Sequence, residues 1–268
     1  MLTIDHDLHI HTSLSKCAKN PDATVPNFLA AAEKNNLKII GIANHCWAAE
    51  LPGMSSWYRD QDIEHVLSIK NQIPENTNGI KILIGCETEY TGNRIAGLNR
   101  ELAGFFDFVL LPCNHFHMKG FVVPEDLGSG GPREVAELLY RRFMEVTDLG
   151  FGFGIVHPFV PLGFMEHEED ILENISDAMY ENCFRAAKSA GLAIEINSYT
   201  AKCKTCAADS GFSPLYLRIH SIAGQCGAKF FFGADAHQPD SIGNYDKMAG
   251  FAKSCGIVES DIVVPQTA

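Results

Sequence analysis

Short apolar runs alternate with stretches of helical pattern along the whole chain. The runs Thr3 to Ile10, Lys38 to Ala43, Ile80 to Cys86, Phe108 to Leu111, Phe153 to Val156, Ala193 to Ile196 and Lys229 to Phe232 have the length and side-chain content of buried strands. Helical pattern fills Val25 to Asn35, Asp62 to Gln72, Leu98 to Gly104, Arg133 to Leu149, Glu168 to Ala190 and Pro214 to Cys226, and a final helix, Asp240 to Ser254, follows the last run. Thr24 before Val25 and Pro26 reads as a helix start, and Gly150, Gly191 and Gly227 read as stops. Seven strands, each followed by a helical stretch, predict an α/β fold in which a parallel sheet closes into one barrel domain spanning residues 1–268.

Composition narrows this picture. With 268 residues and 46% hydrophobic content the chain can bury a large core. The start lacks a basic segment followed by a long apolar region, and no apolar stretch approaches the roughly 18 residues that span a bilayer; a soluble, cytoplasmic protein without membrane partners is expected. Nine cysteines, an odd number, favour reduced thiols. Cys203 and Cys206 form a Cys-x-x-Cys, but no second such pair completes a structural zinc site. The net charge of -12, with no run of Lys and Arg, disfavours long nucleic acid as a partner. Small anionic substrates stay compatible, since divalent ions would add positive charge to one cleft.

The residues that follow the runs carry the chemistry. In Asp7-Leu8-His9-Ile10-His11-Thr12 two histidines stand two residues apart, so on a strand both rings project from one face. His45 follows the second run, Glu87 the third, His115 the fourth and His157 the fifth, and Asp235 with His237 follows the last. The sixth ends without a strong ligand, in Glu195-Ile196-Asn197-Ser198. Barrel enzymes build their sites from the loops at the C-terminal ends of the strands, which would bring these distant side chains together. Packing alone accounts poorly for so many imidazoles and carboxylates at strand ends, because buried polar groups cost free energy unless partnered; a metal site at that face is expected.

Asp7 is expected to point away from its histidine neighbours and to act at most as an orienting group. His117 and Glu89 could exchange roles with His115 and Glu87, but the earlier member of each pair lies closer to its strand end. His6, His65, His167 and His220 suit surface or supporting positions. Two irregular insertions, Cys46 to Asp60 with both tryptophans and Lys119 to Pro132 with Gly128-Ser129-Gly130-Gly131, are candidates for a lid or substrate wall. Gly150-Phe151-Gly152-Phe153-Gly154 leads into a strand, whereas a dinucleotide fingerprint follows one. No nucleophile elbow or Walker loop is present.

His9, His11, His45, Glu87, His115, His157, Asp235 and His237 together resemble the signature of the polymerase and histidinol phosphatase (PHP) superfamily, whose first strand ends in His-x-His. The resemblance implies a distorted (β/α)7 barrel holding two to three divalent metal ions, with zinc, manganese and iron as candidates. It also implies that His9, His11, Glu87 and Asp235 hold a first ion and Glu87, His115 and His157 a second, Glu87 bridging, while His45 and His237 hold a third. Where the family often has a further His or Asp, this chain has Cys17. A thiolate suits zinc and suits manganese or magnesium poorly, so Cys17 either selects a softer metal or is a small buried thiol.

The implied activity is metal-dependent hydrolysis of a phosphate ester, foremost a phosphomonoesterase acting on a small phosphorylated metabolite, of which L-histidinol phosphate is the family's best-known case. A metal-bound hydroxide would attack phosphorus in line, its pKa lowered from about 15.7 towards 7. Glu87, Asp235 and His237 are the catalytic candidates, Asp235 or His237 assisting proton transfer. Arg94, Arg59 and Lys202 are candidates for binding phosphate oxygens. The alternatives are a phosphodiesterase or exonuclease of the same superfamily, an amidohydrolase-type metal hydrolase, and a non-catalytic metal-binding module.

Overall fold

The computed structural model describes residues 2–123, 127, 130–201, 211–243 and 245–266. The apolar runs form β1 (His6–Ile10), β2 (Ile39–Ile42), β4 (Lys81–Thr88), β7 (Phe108–Leu111), β8 (Gly154–Ile155), β9 (Ala193–Asn197) and β10 (Phe230–Gly233). These pair in parallel in the order β1-β2-β4-β7-β8-β9-β10. Two elements escaped the sequence pattern. One is the two-residue β3 (His45–Cys46), which adds to β4. The other is an antiparallel hairpin of β5 (Tyr90–Gly92) and β6 (Ile95–Ala96), turned through Asn93 and Arg94 at φ of 52° and 61°.

Helices α1 (Val25–Lys34), α2 (Ile63–Leu67), α3 (Arg100–Ala103), α4 (Pro132–Thr147), α5 (Glu168–Glu173), α6 (Asp177–Ala190), α7 (Pro214–Gln225) and α8 (Tyr245–Ser254) follow the strands. Their apolar faces meet the outside of the sheet. In α1 the buried residues Val25, Phe28, Leu29 and Ala32 recur with helical spacing. The stretch expected as one helix from Glu168 to Ala190 is two, because the Ser176 hydroxyl accepts from the Met179 backbone N–H and starts α6 afresh. The stretch from Asp62 tightens after α2 into a 3₁₀ turn, Ser68–Gln72, where the Ser68 hydroxyl donates to the His65 carbonyl at 2.6 Å. The final stretch is likewise divided, a short 3₁₀ turn at Pro239–Ser241 preceding α8. No helix among the described residues is long and apolar enough to cross a membrane.

The barrel is nearly closed. At the seam, Ala236 N–H donates to the His9 carbonyl at 3.0 Å and His11 N–H donates to the Ala236 carbonyl at 2.8 Å. Two buried side chains stitch the rest. Asp7 accepts from Ala234 N–H at 3.1 Å and from the Tyr245 hydroxyl of α8 at 2.7 Å, and the His6 ring accepts from Phe232 N–H at 3.1 Å. The register with β2 shifts between Asp7, opposite Ile40, and Ile10, opposite Ile42. A bulge thus sets Leu8 and His9 against a single residue; a strict two-residue period would put Asp7 on the face of His9 and His11, so the expectation that it points away does not follow from the alternation, and it is the bulged strand that lets Asp7 reach α8.

The lumen is filled by Leu8, Leu83, Phe108, Leu110, Val156 and Phe231. Phe108 fits because two neighbours have no side chain: a Cβ on Gly41 would lie 2.7 Å from its ring, and one on Gly85 2.5 Å. The packed lumen is the floor beneath the strand ends.

Candidate metal centre

All eight residues proposed from the sequence converge at the C-terminal ends of the strands, with Glu87 in the middle. Glu87 Oε2 lies 3.4 Å from His9 Nε2, 3.4 Å from His11 Nε2 and 3.5 Å from His45 Nδ1. Its Oε1 lies 3.2 Å from His157 Nε2 and 3.5 Å from His115 Nε2. The two oxygens thus face two separate groups of imidazoles. Asp235 Oδ1 comes within 3.3 Å of His11 Nε2 and 3.6 Å of His9 Nε2, and the His237 ring stacks on His11 with centroids 4.8 Å apart. His157 and Asp235 are held at positive φ, 31° and 53°, a strained backbone of the kind that collects at functional sites.

The outward ring nitrogens are occupied. His9 Nδ1 meets Glu195 Oε1 at 2.7 Å, His115 Nδ1 meets Glu89 Oε2 at 2.7 Å, and His157 Nδ1 meets Asn114 Oδ1 at 2.9 Å. The Asn114 orientation follows from its amide N–H groups, which donate to the carbonyls of His157 and Val160. Its oxygen must therefore accept, so His157 carries its proton on Nδ1 and turns the Nε2 lone pair inward. Such anchoring of the outer nitrogen accompanies metal-ligating imidazoles. His11 lacks even this. Both of its ring nitrogens are buried without a hydrogen-bond partner among the described residues, as is His45 Nδ1. Orphaned buried imidazole nitrogens beside a carboxylate fit a metal ion, which would satisfy them.

The electrostatics point the same way. Burial works against charge on His9, yet Glu195, Asp235 and Glu87 hold it well above the ordinary imidazole range. His115 is pushed up to about 9, since Glu89 and Glu87 outweigh its burial. Burial would raise Glu87 and Asp235, but the histidines around them hold both carboxyls well below the usual range. Cys17 joins this group: burial raises its thiol, and His11, with His237 and His45 around it, takes it down to about 3. Its sulfur lies within 4.8 Å of ligand atoms of His11 and His237. The groups His9/His11/Asp235, His9/Glu87/His157, His11/His45/Glu87 and His11/Cys17/His237 could each hold a metal ion.

Several supporting residues escaped sequence reasoning. Glu195, on the strand expected to contribute little, accepts from His157 N–H at 2.5 Å and from Asn197 Nδ2 at 3.1 Å besides holding His9. The sequence shows only a lone carboxylate inside an apolar strand; the structure shows it fully buried. Glu89 stands behind His115 and takes the Tyr58 hydroxyl at 3.2 Å. Asn44 accepts from Thr12 N–H at 2.8 Å, and Ser15 Oγ accepts from His45 N–H at 2.8 Å. Of the other histidines, His65 meets the Leu14 carbonyl at 2.9 Å, His220 is buried in α7, and His167 is exposed.

The cluster opens into a cavity of about 640 Å³, lined also by Lys16, Lys19, Trp57, His117 and Phe121. Arg94, a candidate for phosphate binding, instead lines a separate cavity with Asn99, Glu145 and Asp148, carried there by the β5–β6 turn. Arg59 is exposed and absent from the main cavity's lining. Lys202, Cys203 and Cys206 lie outside the described residues. The cations at the mouth are Lys16 and Lys19, whose loop follows the His-x-His. Both are exposed, and Lys16 is paired with Asp60 at 3.0 Å.

No protein-family model matches the chain, and no curated protein matches it. Among solved structures, it is similar to histidinol phosphate phosphatase from Lactococcus lactis subsp. lactis Il1403, complexed with zinc, L-histidinol and phosphate: TM-score 0.65, 18% identity, covering 96% of this chain and 95% of that one. Weaker similarities are to a chain of an archaeal ribonuclease P with mature tRNA (TM-score 0.44, 12% identity, 94% and 90% covered) and to ochratoxinase from A. niger (0.42, 10%, 94% and 67%). The first similarity shows that this chain shares the barrel fold of that phosphatase.

Proposed function

We propose that this protein is a metal-dependent phosphomonoesterase of the polymerase and histidinol phosphatase type, acting on a small phosphorylated metabolite. The observation that carries the reading is the pairing of His9, His115 and His157 outward with Glu195, Glu89 and Asn114, while their Nε2 atoms face the two oxygens of Glu87. The ions, when bound, supply Lewis acidity for the phosphoryl oxygens and lower the pKa of water. His9, His11, Glu87 and Asp235 would hold one, Glu87, His115 and His157 another, and His11, His45, His237 and Cys17 surround the place of a third.

The protein's own part is placement and proton handling. Glu87 is sealed at 1% exposure, so it serves as a fixed charge. Asp235 and His237 are about a third exposed and face the cavity; Asp235, held as a carboxylate by the histidines around it, has no proton to give, so His237 is the group placed to pass one to a departing alkoxide. Lys19 at the mouth adds long-range attraction for an anion in a chain of net charge -12.

Elemental analysis of the desalted protein should find at least two transition-metal ions per chain. The metal-reconstituted protein should hydrolyse phosphomonoesters in preference to a phosphodiester or single-stranded DNA. Less than one equivalent of metal, with none regained on adding zinc, manganese or iron, would sink the reading.

Cys17 separates two versions of the site. If its sulfur is a ligand, Cys17→Ser should weaken zinc retention by about tenfold or more. Cys17→Asp should then work better with manganese than the parent does, because a carboxylate is the harder ligand. Unchanged stoichiometry and kinetics in Cys17→Ser would remove it from the site.

A further inference from the structure

Glu195 sits between the apolar floor of the barrel and the cluster above it. Along β9 its side chain shares a face with Ala193, which belongs to the lumen, and with Asn197, because alternate residues of a strand point the same way. A fully buried carboxylate costs free energy unless it is partnered. Three groups meet this one: His9 Nδ1 lies 2.7 Å from Oε1, while Oε2 accepts from the backbone N–H of His157 and from Asn197 Nδ2 at 3.1 Å. A carboxylate oxygen can only accept, so His9 donates from Nδ1 and turns Nε2 inward.

The place is cut for that group. A Cβ on Gly233 would lie 2.1 Å from Glu195 Oε1 and 2.7 Å from His9 Cβ, so β10 has to pass there without a side chain. The same carboxylate fixes the N–H of His157, whose backbone is held at a φ of 31°. The rings of His9 and His157 stand with centroids 5.7 Å apart, their Nε2 atoms 3.4 Å and 3.2 Å from the two oxygens of Glu87. Glu87 joins this pair in front, and Glu195 joins it behind.

We propose that Glu195 is a positioning residue common to two ion sites, presenting His9 to one and His157 to the other, and that only a carboxylate can serve both sides at once. This inference rests on the metal-centre reading and adds to it how two of the ligands are held. Asn197 Oδ1 accepts from Tyr199 N–H at 2.7 Å, so Asn197 Nδ2 has to donate towards Glu195. An amide at position 195 has one accepting and one donating end, and its oxygen would turn to the side that offers two N–H groups. His9 Nδ1 would then face an N–H, become an acceptor itself and leave the proton on Nε2, the atom the ion needs.

The test is Glu195→Gln, a nearly isosteric change, read by zinc competition against a chromophoric chelator and by NMR of the histidine ring nitrogens in the zinc-loaded protein. One zinc ion should be weakened by about 10- to 100-fold, the usual loss when the outer partner of a ligating imidazole is removed, while another keeps the parent's affinity. The His9 proton should sit on Nδ1 in the parent and move to Nε2 in the variant. His157, whose ring is held by Asn114, should keep its proton on Nδ1 in both. Parental affinity for every ion, or all of them weakened alike as a merely loosened fold would do, overturns the inference and leaves the metal centre standing. If Glu195→Gln does not fold, the zinc-loaded parent decides: a His9 proton on Nε2 overturns the inference, and one on Nδ1 supports it. A parent that binds no zinc overturns the metal-centre reading and this inference with it.

Discussion

Glu87→Gln should abolish the strongest organising charge in the molecule, lowering turnover by about a thousandfold or more and releasing metal from the protein. Removing one preorganised electrostatic partner from a catalytic site commonly costs about 10² to 10³ in rate. Glu87 serves two groups at once: its Oε2 faces His9, His11 and His45, and its Oε1 faces His115 and His157. The amide is nearly isosteric but uncharged, so the fold should survive, as circular dichroism and a cooperative melt would show. Metal content should drop below that of the parent. Glu89→Gln is the informative companion, because Glu89 touches His115 from behind at 2.7 Å and should cost less. If Glu87→Gln kept both its metal and near-normal turnover, the bridging role would pass to Glu89.

Phe108→Ala should cost about 3–5 kcal/mol of stability, the range for truncating a large aromatic in a core that cannot collapse. The lumen around Phe108 is shaped to its ring, since Gly41 on β2 and Gly85 on β4 leave the space it fills and Phe153 closes against it with centroids 6.3 Å apart. Those strands carry hydrogen-bonded ladders on both sides and cannot move inward to fill the void. Phe105→Ala, at a ring that is 56% exposed, should stay within about 0.5 kcal/mol. Denaturant titration at a fixed free-metal concentration measures both. A loss below about 1 kcal/mol for Phe108→Ala would show that the lumen is not the rigid floor described here.

Residue type and position along the chain made the strands and the eight converging side chains legible: apolar runs mark the strands, and imidazoles or carboxylates immediately after them are rare enough to stand out. What holds those side chains was harder to see. Asn114 and Asn44 are ordinary residues whose importance lies in which carbonyl or N–H they meet, and Glu195 became visible only when its strand turned it towards His9 and His157. The β1 bulge defeats a strict two-residue period, so the orientation of Asp7 depended on a register shift that no periodicity shows. The hairpin turn at Asn93-Arg94 lacks the glycine that usually marks one, and it carries Arg94 away from the cluster. The basic residues at the mouth, Lys16 and Lys19, lie on a loop whose path is set by tertiary packing.

The seam between β1 and β10 also sets an order of events during synthesis. His9 and His11 leave the ribosome more than two hundred residues before Asp235, His237 and the Ala236 backbone that pairs with β1. Until then the edge of β1 that does not face β2 stays open, with the buried carboxylate of Asp7 and the ring of His6 lacking their partners in and around β10. Pairing β1 with the segment that follows β10 is a long-range closure, and closures of that kind form slowly.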